Sequence, residues 1–177
     1  YLIPGIIVQT VIFGAMQTGI GLSDDLAKGI IDRFRSLPMA RSAVLAGRTI
    51  GDLGRNIIVV LLMTIVGFII GFRTDQGIAR GLGALGLTIL FGYAFSWISA
   101  TIGVAVKDPE TAQVGGFIWV FPLVFASSIF VPVQSMPDWL QVFVENSPIT
   151  ATVDAVRALV LGGDYWTDAW HALAWIV

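Results

Sequence analysis

The sequence predicts an all-α membrane protein, a polytopic helical bundle in which about five helices cross the bilayer. Of its 177 residues, 56% are hydrophobic and 12% are charged, and that charged share is about half the share in an average soluble domain. Four long runs contain no charged residue. Backbone groups find no water partners in hydrocarbon, so such runs must form helices or a closed barrel. Residues 61–70 do not alternate as barrel strands do, which leaves helices.

Each uncharged run is long enough to cross a bilayer, which takes about 20 helical residues, with a range of about 17–25. The second run is the shortest, and Arg55 and Arg73 on either side of it can extend to the headgroups. The sequence begins and ends in apolar runs without an initiating methionine, so we expect a fragment of a longer protein. The predicted spans are residues 1–23, 56–72, 81–106 and 111–131, and the start of a further span at 166–177.

Lysine and arginine are distributed unequally between the two sides of these spans. The segments 24–55 and 107–110 share one side and contain seven of these residues, whereas the other connections contain three. Because basic residues favour the cytoplasmic side, the segment 24–55 is predicted to face the cytoplasm of an inner membrane. The net charge of −2 provides no basic surface for nucleic acid.

The beginning of the cytoplasmic segment is predicted to form a short amphipathic helix in the plane of the membrane face. Ser23 can cap its first turn, Asp24 and Asp25 suit the positive end of a helix dipole, and Pro38 would end it. The composition fits either a solvated connector anchored at the headgroups or a docking element for a cytoplasmic partner. The apolar stripe is Leu26, Ile30, Phe34 and Leu37, and the charged residues beside it are Lys28, Asp32, Arg33 and Arg35.

A second cytoplasmic helix is predicted to continue into the span at 56–72. Arg41, Arg48 and Arg55 recur every seven residues and therefore share one face, and Asp52 follows Arg48 by four residues. We expect this face to form a charged ridge at the membrane boundary.

The outer segment, residues 132–165, is predicted to contain two short helices that dip toward the membrane. A proline can start the first helix, a tryptophan on it suits the interface, and a second proline precedes the second helix. The segment is either an ordinary interfacial loop or an extracellular gate, and its Asp154–Arg157 pair is either a buried brace or a weak surface pair. The candidate gate residues are Pro137, Trp139, Pro148, Asp154 and Arg157.

No motif of a catalytic or metal-binding site occurs in the sequence. There is no cysteine, only one histidine (His171), no phosphate-binding loop and no His-Glu-x-x-His motif. The predicted spans contain no charged residue, which argues against an ion-driven carrier because such carriers keep charged residues near the midplane.

Small and polar residues indicate how the spans pack. Gly67-x-x-x-Gly71 and Gly77-x-x-x-Gly81 have the spacing at which helices approach closely. Four polar side chains of the first span either line a substrate route or form hydrogen bonds between helices. These four are Gln9, Thr10, Gln17 and Thr18.

Residues 29–52, GIIDRFRSLPMARSAVLAGRTIGD, resemble the segment before the third helix in permeases of type-2 ABC exporters. The similarity is greatest to the branch associated with daunorubicin and doxorubicin resistance. Supporting similarities follow in matching order along nearly the whole chain. They are KDPETAQ at 107–113, PVQSMPDW at 132–139, NSPIT at 146–150, Asp154 and Arg157.

This resemblance implies a single permease domain over residues 1–177 of a six-helix protein with both termini in the bacterial cytoplasm. The spans present would be the second to the sixth. A second permease subunit, identical or different, and two ATP-binding subunits would complete the transporter. ATP and magnesium would bind to the ATP-binding subunits, and this chain would bind no cofactor.

The resemblance also implies that the amphipathic helix is the coupling helix, which docks on the ATPase. The residues expected to take part in coupling are Asp25, Lys28, Asp32, Arg33, Phe34, Arg35, Leu37 and Pro38. The expected cargo is a hydrophobic or amphipathic drug or lipid that is moved out of the cell. A non-transporting membrane scaffold and an ion-driven secondary carrier are the alternatives.

Overall fold

A computed structural model describes residues 2–30, 41–72, 76–106, 108–163 and 166–176. The regular structure of these residues consists of α-helices and a short 3₁₀ turn at Val133–Ser135, which confirms the predicted all-α class. Three stretches have the length and apolar composition to cross a membrane: Leu2–Ala27, Ala46–Ile69 and Ile78–Val106. The helices are α1 (Leu2–Ala27), α2 (Arg41–Ile69), α3 (Ile78–Val106), α4 (Pro109–Phe125), α5 (Asp138–Glu145), α6 (Pro148–Leu161) and α7 (Trp166–Ile176).

Helix α1 lies at the centre of the bundle and contacts α2, α3, α4 and α6. Its most extensive contact is with α3, which runs parallel to it. A methyl group added to Gly103 of α3 would lie 2.1 Å from the carbonyl oxygen of Gly19, and one added to Gly19 would lie 2.2 Å from the carbonyl oxygen of Ser99. The two backbones therefore touch, and glycine permits this approach because it has no side chain.

Two of the four glycines predicted to pack helices, one from each pair, lie in turns. Gly71 and Gly77 have φ angles of +102° and +83°, and nothing lies within 4 Å of a methyl position on either residue. Gly71 ends α2, because the N–H of Phe72 donates to the carbonyl oxygen of Gly67 at 2.9 Å in the pattern of a glycine cap. The packing prediction is therefore wrong for Gly71 and Gly77, whose positive φ angles favour glycine.

Helix α2 begins at Arg41, well before the predicted start of its span at residue 56. The stretch of α2 that is apolar enough to cross a membrane, Ala46–Ile69, therefore contains charged side chains near its beginning. These charged residues precede the span predicted at 56–72, so the absence of charge within the predicted spans, and the argument against an ion-driven carrier that depends on it, stay predictions. The charged residues concerned are Arg48, Asp52 and Arg55.

Helix α4 is shorter than the span predicted at 111–131. It begins at Pro109, and Asp108 caps it by accepting a hydrogen bond from the N–H of Thr111 at 2.8 Å. The hydroxyl and N–H of Thr111 together hold the pKa of Asp108 below its usual value. The helix ends at Phe125, and its 17 residues extend about 25 Å, less than the hydrocarbon thickness of about 30 Å.

The hydrophobic core lies where α1, α3, α4 and α6 meet. Ile12, Phe95, Val120 and Val153, one from each of these helices, are buried there. Helix α2 instead leaves most of its second half exposed, and its open side is apolar, as expected of a lipid-facing surface. Its exposed apolar residues include Ile58, Leu62, Ile65 and Ile69.

Candidate functional site

Four charged side chains meet where the last turns of α1 lie against the first half of α2. Arg48 donates a short hydrogen bond to the carboxylate of Asp25. The carboxylate of Asp52 lies between two arginines, 3.7 Å from Nε of Arg48 and 3.6 Å from Nη2 of Arg55. We call Asp25, Arg48, Asp52 and Arg55 the inner seam. Its two acids and two bases cancel in charge, which lowers the cost of holding them between helices.

The inner seam reaches the middle of the bundle. Nη2 of Arg55 donates to the carbonyl oxygen of Gly14 at 2.8 Å, and Gly14 lies halfway along α1. The next residue of α2, Asn56, is buried, and a methyl group on Gly14 would lie 2.7 Å from its Oδ1 atom. The charged ridge that the sequence predicts at the membrane boundary therefore extends to half the height of α1.

Besides Oδ2 of Asp52, which has an ion-pair contact only, two polar atoms along this contact are buried without a hydrogen-bond partner. They are Nδ2 of Asn56 and Oγ1 of Thr18. Thr18 shares a face of α1 with Gly14 and Asp25, and this face contacts α2. Because buried polar groups are nearly always hydrogen-bonded, these two atoms give the α1–α2 contact a capacity for further hydrogen bonds.

The predicted start of the amphipathic helix lies inside α1. The hydroxyl of Ser23 donates to the carbonyl oxygen of Ile20 at 2.7 Å, and the helix continues to Ala27. The predicted cap at Ser23 is therefore wrong, because Asp24 and Asp25 belong to the last turn of α1. Of the residues expected to take part in coupling, the structure places Asp25 and Lys28 at this end. Asp32, Arg33, Phe34, Arg35, Leu37 and Pro38 lie outside the described residues.

Basic residues balance the acids at the carboxyl end of α1. The ammonium group of Lys28 lies 2.6 Å from the carboxylate of Asp24, and the hydrogen bond and charge of Asp24 raise the pKa of Lys28. Carboxylates at this end of a helix are unfavourable because the dipole is negative there. Lys28 offsets Asp24, as Arg48 offsets Asp25. The end of α1 therefore presents paired charges beside the segment that leads to α2.

Arg157 joins α6 to the turn that follows α4. Its Nη1 atom donates to Oδ1 of Asp154 at 2.9 Å and to Oγ of Ser128 at 3.2 Å, and its Nη2 atom donates to the carbonyl oxygen of Ile129 at 2.9 Å. Oγ of Ser128 also donates to Asp154 at 2.8 Å. We call Asp154, Arg157, Ser128 and Ile129 the outer brace. The Arg157 side chain is 8% exposed and that of Asp154 is 34% exposed, which fits the buried alternative rather than a surface pair.

The outer brace also contacts the beginning of α1. A methyl group on Gly5 would lie 2.8 Å from the carbonyl oxygen of Ile129, the same oxygen that accepts from Arg157. The N–H of Ser128 donates to Oγ1 of Thr150 in the first turn of α6 at 3.3 Å. The turn, α6 and the first turns of α1 are therefore packed as one unit.

The other gate candidates lie outside the outer brace. Pro137 precedes α5, and Pro148 is the first residue of α6, so both prolines mark helix starts as the sequence predicts. Trp139 and Phe143 of α5 are exposed, and exposed aromatic residues on a short amphipathic helix are typical of a membrane interface.

Helix α1 leaves one stripe of its surface open. Ile6 and Gln17 are exposed on this stripe, and Thr10 between them is half-buried and donates its hydroxyl to the carbonyl oxygen of Ile6 at 2.8 Å. Of the four residues predicted for a substrate route, Thr10 and Gln17 lie on the stripe and Gln9 lies at its edge. Thr18 lies on the side that contacts α2, so the four side chains do not share one surface.

The family model of the ABC-2 type transporter matches residues 1–161, which include the inner seam, the outer brace and the open stripe of α1. The chain belongs to the ABC-2 type transporter family. Permeases of this family are the non-catalytic membrane components of ABC transporters, in agreement with the prediction that the chain has no active site. The family suggested by residues 29–52 is thereby confirmed.

Three relatives illustrate the range of the family. The daunorubicin resistance ABC transporter permease protein DrrB1 of Streptomyces coeruleorubidus is 37% identical over 167 residues, which cover 94% of this chain and 59% of that protein. The doxorubicin resistance ABC transporter permease protein DrrB of Mycobacterium tuberculosis is 28% identical over 159 residues, covering 90% of this chain and 55% of that protein. ABC transporter G family member 20 of Dictyostelium discoideum is 25% identical over 191 residues, covering 100% of this chain and 25% of that protein. The chain thus spans less than two thirds of the length of these relatives.

Sequence reasoning missed Asn56 and the turn at Ser128 and Ile129. A signal for Asn56 was available, because Arg48, Asp52 and Arg55 precede it at helical spacing, and a polar stripe on α1 matches them. Nothing local identified the turn, since its partners lie more than 20 residues away along the chain.

Neutralising either side of the Asp25–Arg48 contact of this permease should cause losses of stability that overlap. The two side chains are 27% and 35% exposed. We therefore expect Asp25→Asn and Arg48→Met each to lower the free energy of unfolding by about 1–2 kcal/mol, with a coupling of about 1 kcal/mol in the double variant. Thermal unfolding of the purified full-length protein measures all three values.

The matched control is the Asp24–Lys28 pair in the neighbouring turn, which is more exposed. Asn and Met substitutions there should show no measurable coupling, because exposed pairs contribute little. If the losses of unfolding free energy from Asp25→Asn and Arg48→Met were strictly additive, the two side chains would not interact, and this contact would not contribute to the inner seam.

Proposed function

We propose that this chain is the membrane-spanning permease of an exporter that moves a hydrophobic or amphipathic compound out of a bacterial cell. Energy would come from ATP hydrolysis on a separate subunit. The observation that carries the proposal is the ABC-2 family match over residues 1–161. It is supported by relatives whose names refer to daunorubicin and doxorubicin resistance. The distribution of Lys and Arg supports a cytoplasmic location for the segment 24–55.

The ATP-binding subunit would dock on the segment that connects α1 with α2. The last turn of α1 and the first half of α2 flank this segment, and the inner seam joins them through Asp25 and Arg48. A displacement at the docking segment would therefore move both helices together. The hydrogen bond between Arg55 and Gly14 would carry that movement to the middle of the bundle.

The exit gate would be formed by α5 and α6. Helix α6 has 14 residues, which extend about 21 Å, so it is too short to cross the hydrocarbon core of about 30 Å. Most of its side chains are nevertheless buried against α1, α3 and α7. It therefore fits a helix that enters the bundle from one side, and the outer brace would hold it in the closed arrangement.

The open stripe of α1 would face the substrate route or a second permease subunit, identical or different. The stripe combines apolar side chains with the polar groups of Thr10 and Gln17. A surface of this kind suits an amphipathic compound, which presents apolar area and a few polar groups to its binding site.

Transport in inside-out membrane vesicles tests the proposal. Vesicles that contain the full-length permease and its ATP-binding subunit should accumulate daunorubicin or doxorubicin only when ATP is supplied. Replacing Arg33 and Phe34 together by alanine should reduce uptake at least about tenfold, because Arg and aromatic anchors supply about 2 kcal/mol or more each at an interface. Arg73→Ala is the matched control, since this arginine lies on the other side of the predicted spans and its loss should leave uptake intact.

The alternatives give different results in the same vesicles. Uptake that follows an ion gradient without ATP would identify a secondary carrier. A membrane scaffold would show neither uptake nor a bound ATP-binding subunit. Full uptake by the Arg33/Phe34 double variant would place the docking surface elsewhere.

A further inference from the structure

A crevice of about 280 Å³ lies between α1, α2, α3 and α6 at the end of the bundle opposite the inner seam. We call it the outer crevice. The first turns of α1 and α3 and the last turns of α2 and α6 contribute to it, so it occupies one end of the bundle. Its lining includes Ile7, Thr64, Phe68, Leu85, Val156 and Val160.

Among the described residues, the lining of the outer crevice presents hydrocarbon and no side-chain N–H or O–H donor without an acceptor. Its two hydroxyl groups belong to Thr64 and Thr88. Oγ1 of Thr64 donates to the carbonyl oxygen of Val60 at 2.7 Å, and Oγ1 of Thr88 donates to that of Ala84 at 2.8 Å. A crevice with so few polar partners holds water poorly, and a polar ligand would lose most of its own hydrogen bonds there.

The mouth of the outer crevice opens on the surface that faces lipid. Phe68, Ile78 and Leu82 form part of its lining and are exposed. They belong to α2 and α3, two helices that are long and apolar enough to cross a membrane. The crevice is therefore continuous with the acyl chains around the protein, and an empty crevice would forfeit the dispersion contacts that a chain can make.

We propose that the outer crevice binds one acyl chain of a phospholipid from the surrounding leaflet. Transfer of a chain from lipid into protein gains nothing from the hydrophobic effect, because lipid tails are as apolar as the lining. Binding instead depends on shape and on the very high local concentration of chains. The proposal depends on membrane embedding and is independent of what the permease exports.

Arg80 supplies charge at the level where the headgroup of this lipid would lie. It belongs to the first turn of α3, next to Gly81 of the crevice lining, and its Nη1 atom donates to Oε1 of Gln76 at 2.7 Å. A guanidinium group has five N–H donors, so Arg80 can contact a lipid phosphate in addition to its partners within the protein.

Photolabelling identifies the occupant. The full-length permease, with its ATP-binding subunit, is placed in vesicles that contain a phosphatidylethanolamine with a photoactivatable diazirine in its acyl chain, and labelled residues are located by mass spectrometry. We expect label on Val156 or Val160 of α6, which are buried and therefore out of reach of bulk lipid. Ala84→Phe, which fills the crevice from α3, should reduce that label at least fivefold, and label on exposed Leu62 should persist.

Two further variants keep the test decisive. Thr64→Leu fills the crevice from α2 and should reduce the label on α6 in the same way if Ala84→Phe does not fold. Leu90→Phe changes an exposed residue of α3 outside the lining and should leave the label on α6 unchanged.

Undiminished label on α6 in both filled variants would overturn the proposal. So would the absence of label on α6 in the unmodified protein, because another protein segment would then cover the crevice. Loss of the label on saturation with daunorubicin would instead assign the crevice to a drug.

Discussion

Replacing Arg157 by methionine should lower the free energy of unfolding of the permease by about 3 kcal/mol, because the change leaves buried groups without their partner. Arg157 is nearly inaccessible and donates to Asp154, Ser128 and the backbone of Ile129. Its loss would remove two of the hydrogen bonds that hold the turn after α4 against α6, and would leave the two that Ser128 donates to Thr150 and Asp154. The measurement is thermal unfolding of the full-length protein in detergent, together with protease accessibility of residues 126–131.

Two further substitutions separate charge from geometry in the outer brace. Arg157→Lys keeps the charge but cannot reach three oxygens in the same way, so we expect an intermediate loss. Asp154→Asn should cost less than Arg157→Met, because Asp154 is about one-third exposed. If Arg157→Met unfolds at the temperature of the unmodified protein, the outer brace does not hold the turn.

Adding a single methyl group at Gly103 should push α1 away from α3. The new carbon would lie 2.1 Å from a backbone oxygen of Gly19, and backbone cannot move aside as a flexible side chain can. We expect Gly103→Ala to cost about 3 kcal/mol, at the upper end of overpacking effects. Lower yield of folded protein and a lower unfolding temperature would report the change.

Gly86→Ala is the matched control on the same helix. Nothing lies within 4 Å of a methyl group at Gly86, so this substitution should be neutral or stabilise α3 by up to about 1 kcal/mol through helix propensity. Equal losses at Gly86 and Gly103 would show that the close approach of the two backbones is not what limits stability.

The sequence predicts most of α1 and α3, because each contains an uncharged run long enough to cross a bilayer, and the helices extend beyond these runs only to include Asp24, Asp25 and Arg80. It predicts that a helix runs through Arg48, Asp52 and Arg55 into the span at 56–72, but not how these charges are paired. Asp52 lies beside both arginines of its own helix, and the two arginines donate to Asp25 and Gly14 of α1. Charge cancellation between two helices cannot be seen in either helix alone. The pairing is visible only when the polar faces of α1 and α2 are considered together.

The error at Ser23 has a different cause. A serine followed by two aspartates is typical of a helix start, but the same residues are tolerated in a last turn when basic groups offset them. Lys28 and Arg48 provide that offset here. The local sequence predicts a cap at Ser23. The contact of Asp25 with Arg48, 23 residues later in the chain, instead stabilises these residues in the last turn of α1.

The Asp154–Arg157 pair shows how far the candidate site was predictable. Their spacing on one helix identified the two as partners. The burial of Arg157 could not be predicted, because it depends on contact with the turn after α4. Ser128 of that turn lies 26 residues before Asp154 and 29 residues before Arg157. Residues with such distant partners are the ones that local patterns do not resolve.

The inner seam has a consequence for the biosynthesis of the protein. Entering the membrane alone, α2 would bring two arginines and an aspartate to the boundary of its apolar stretch, and such residues cost more the closer they lie to the helix centre, where the cost is about 2.5–3.5 kcal/mol each on translocon insertion scales. Asp25 and Gly14 of α1 provide the matching groups, and α1 leaves the ribosome first. We therefore expect the two helices to partition from the translocon as a hairpin, in which the earlier helix supplies a carboxylate and a carbonyl oxygen to the arginines of the later one.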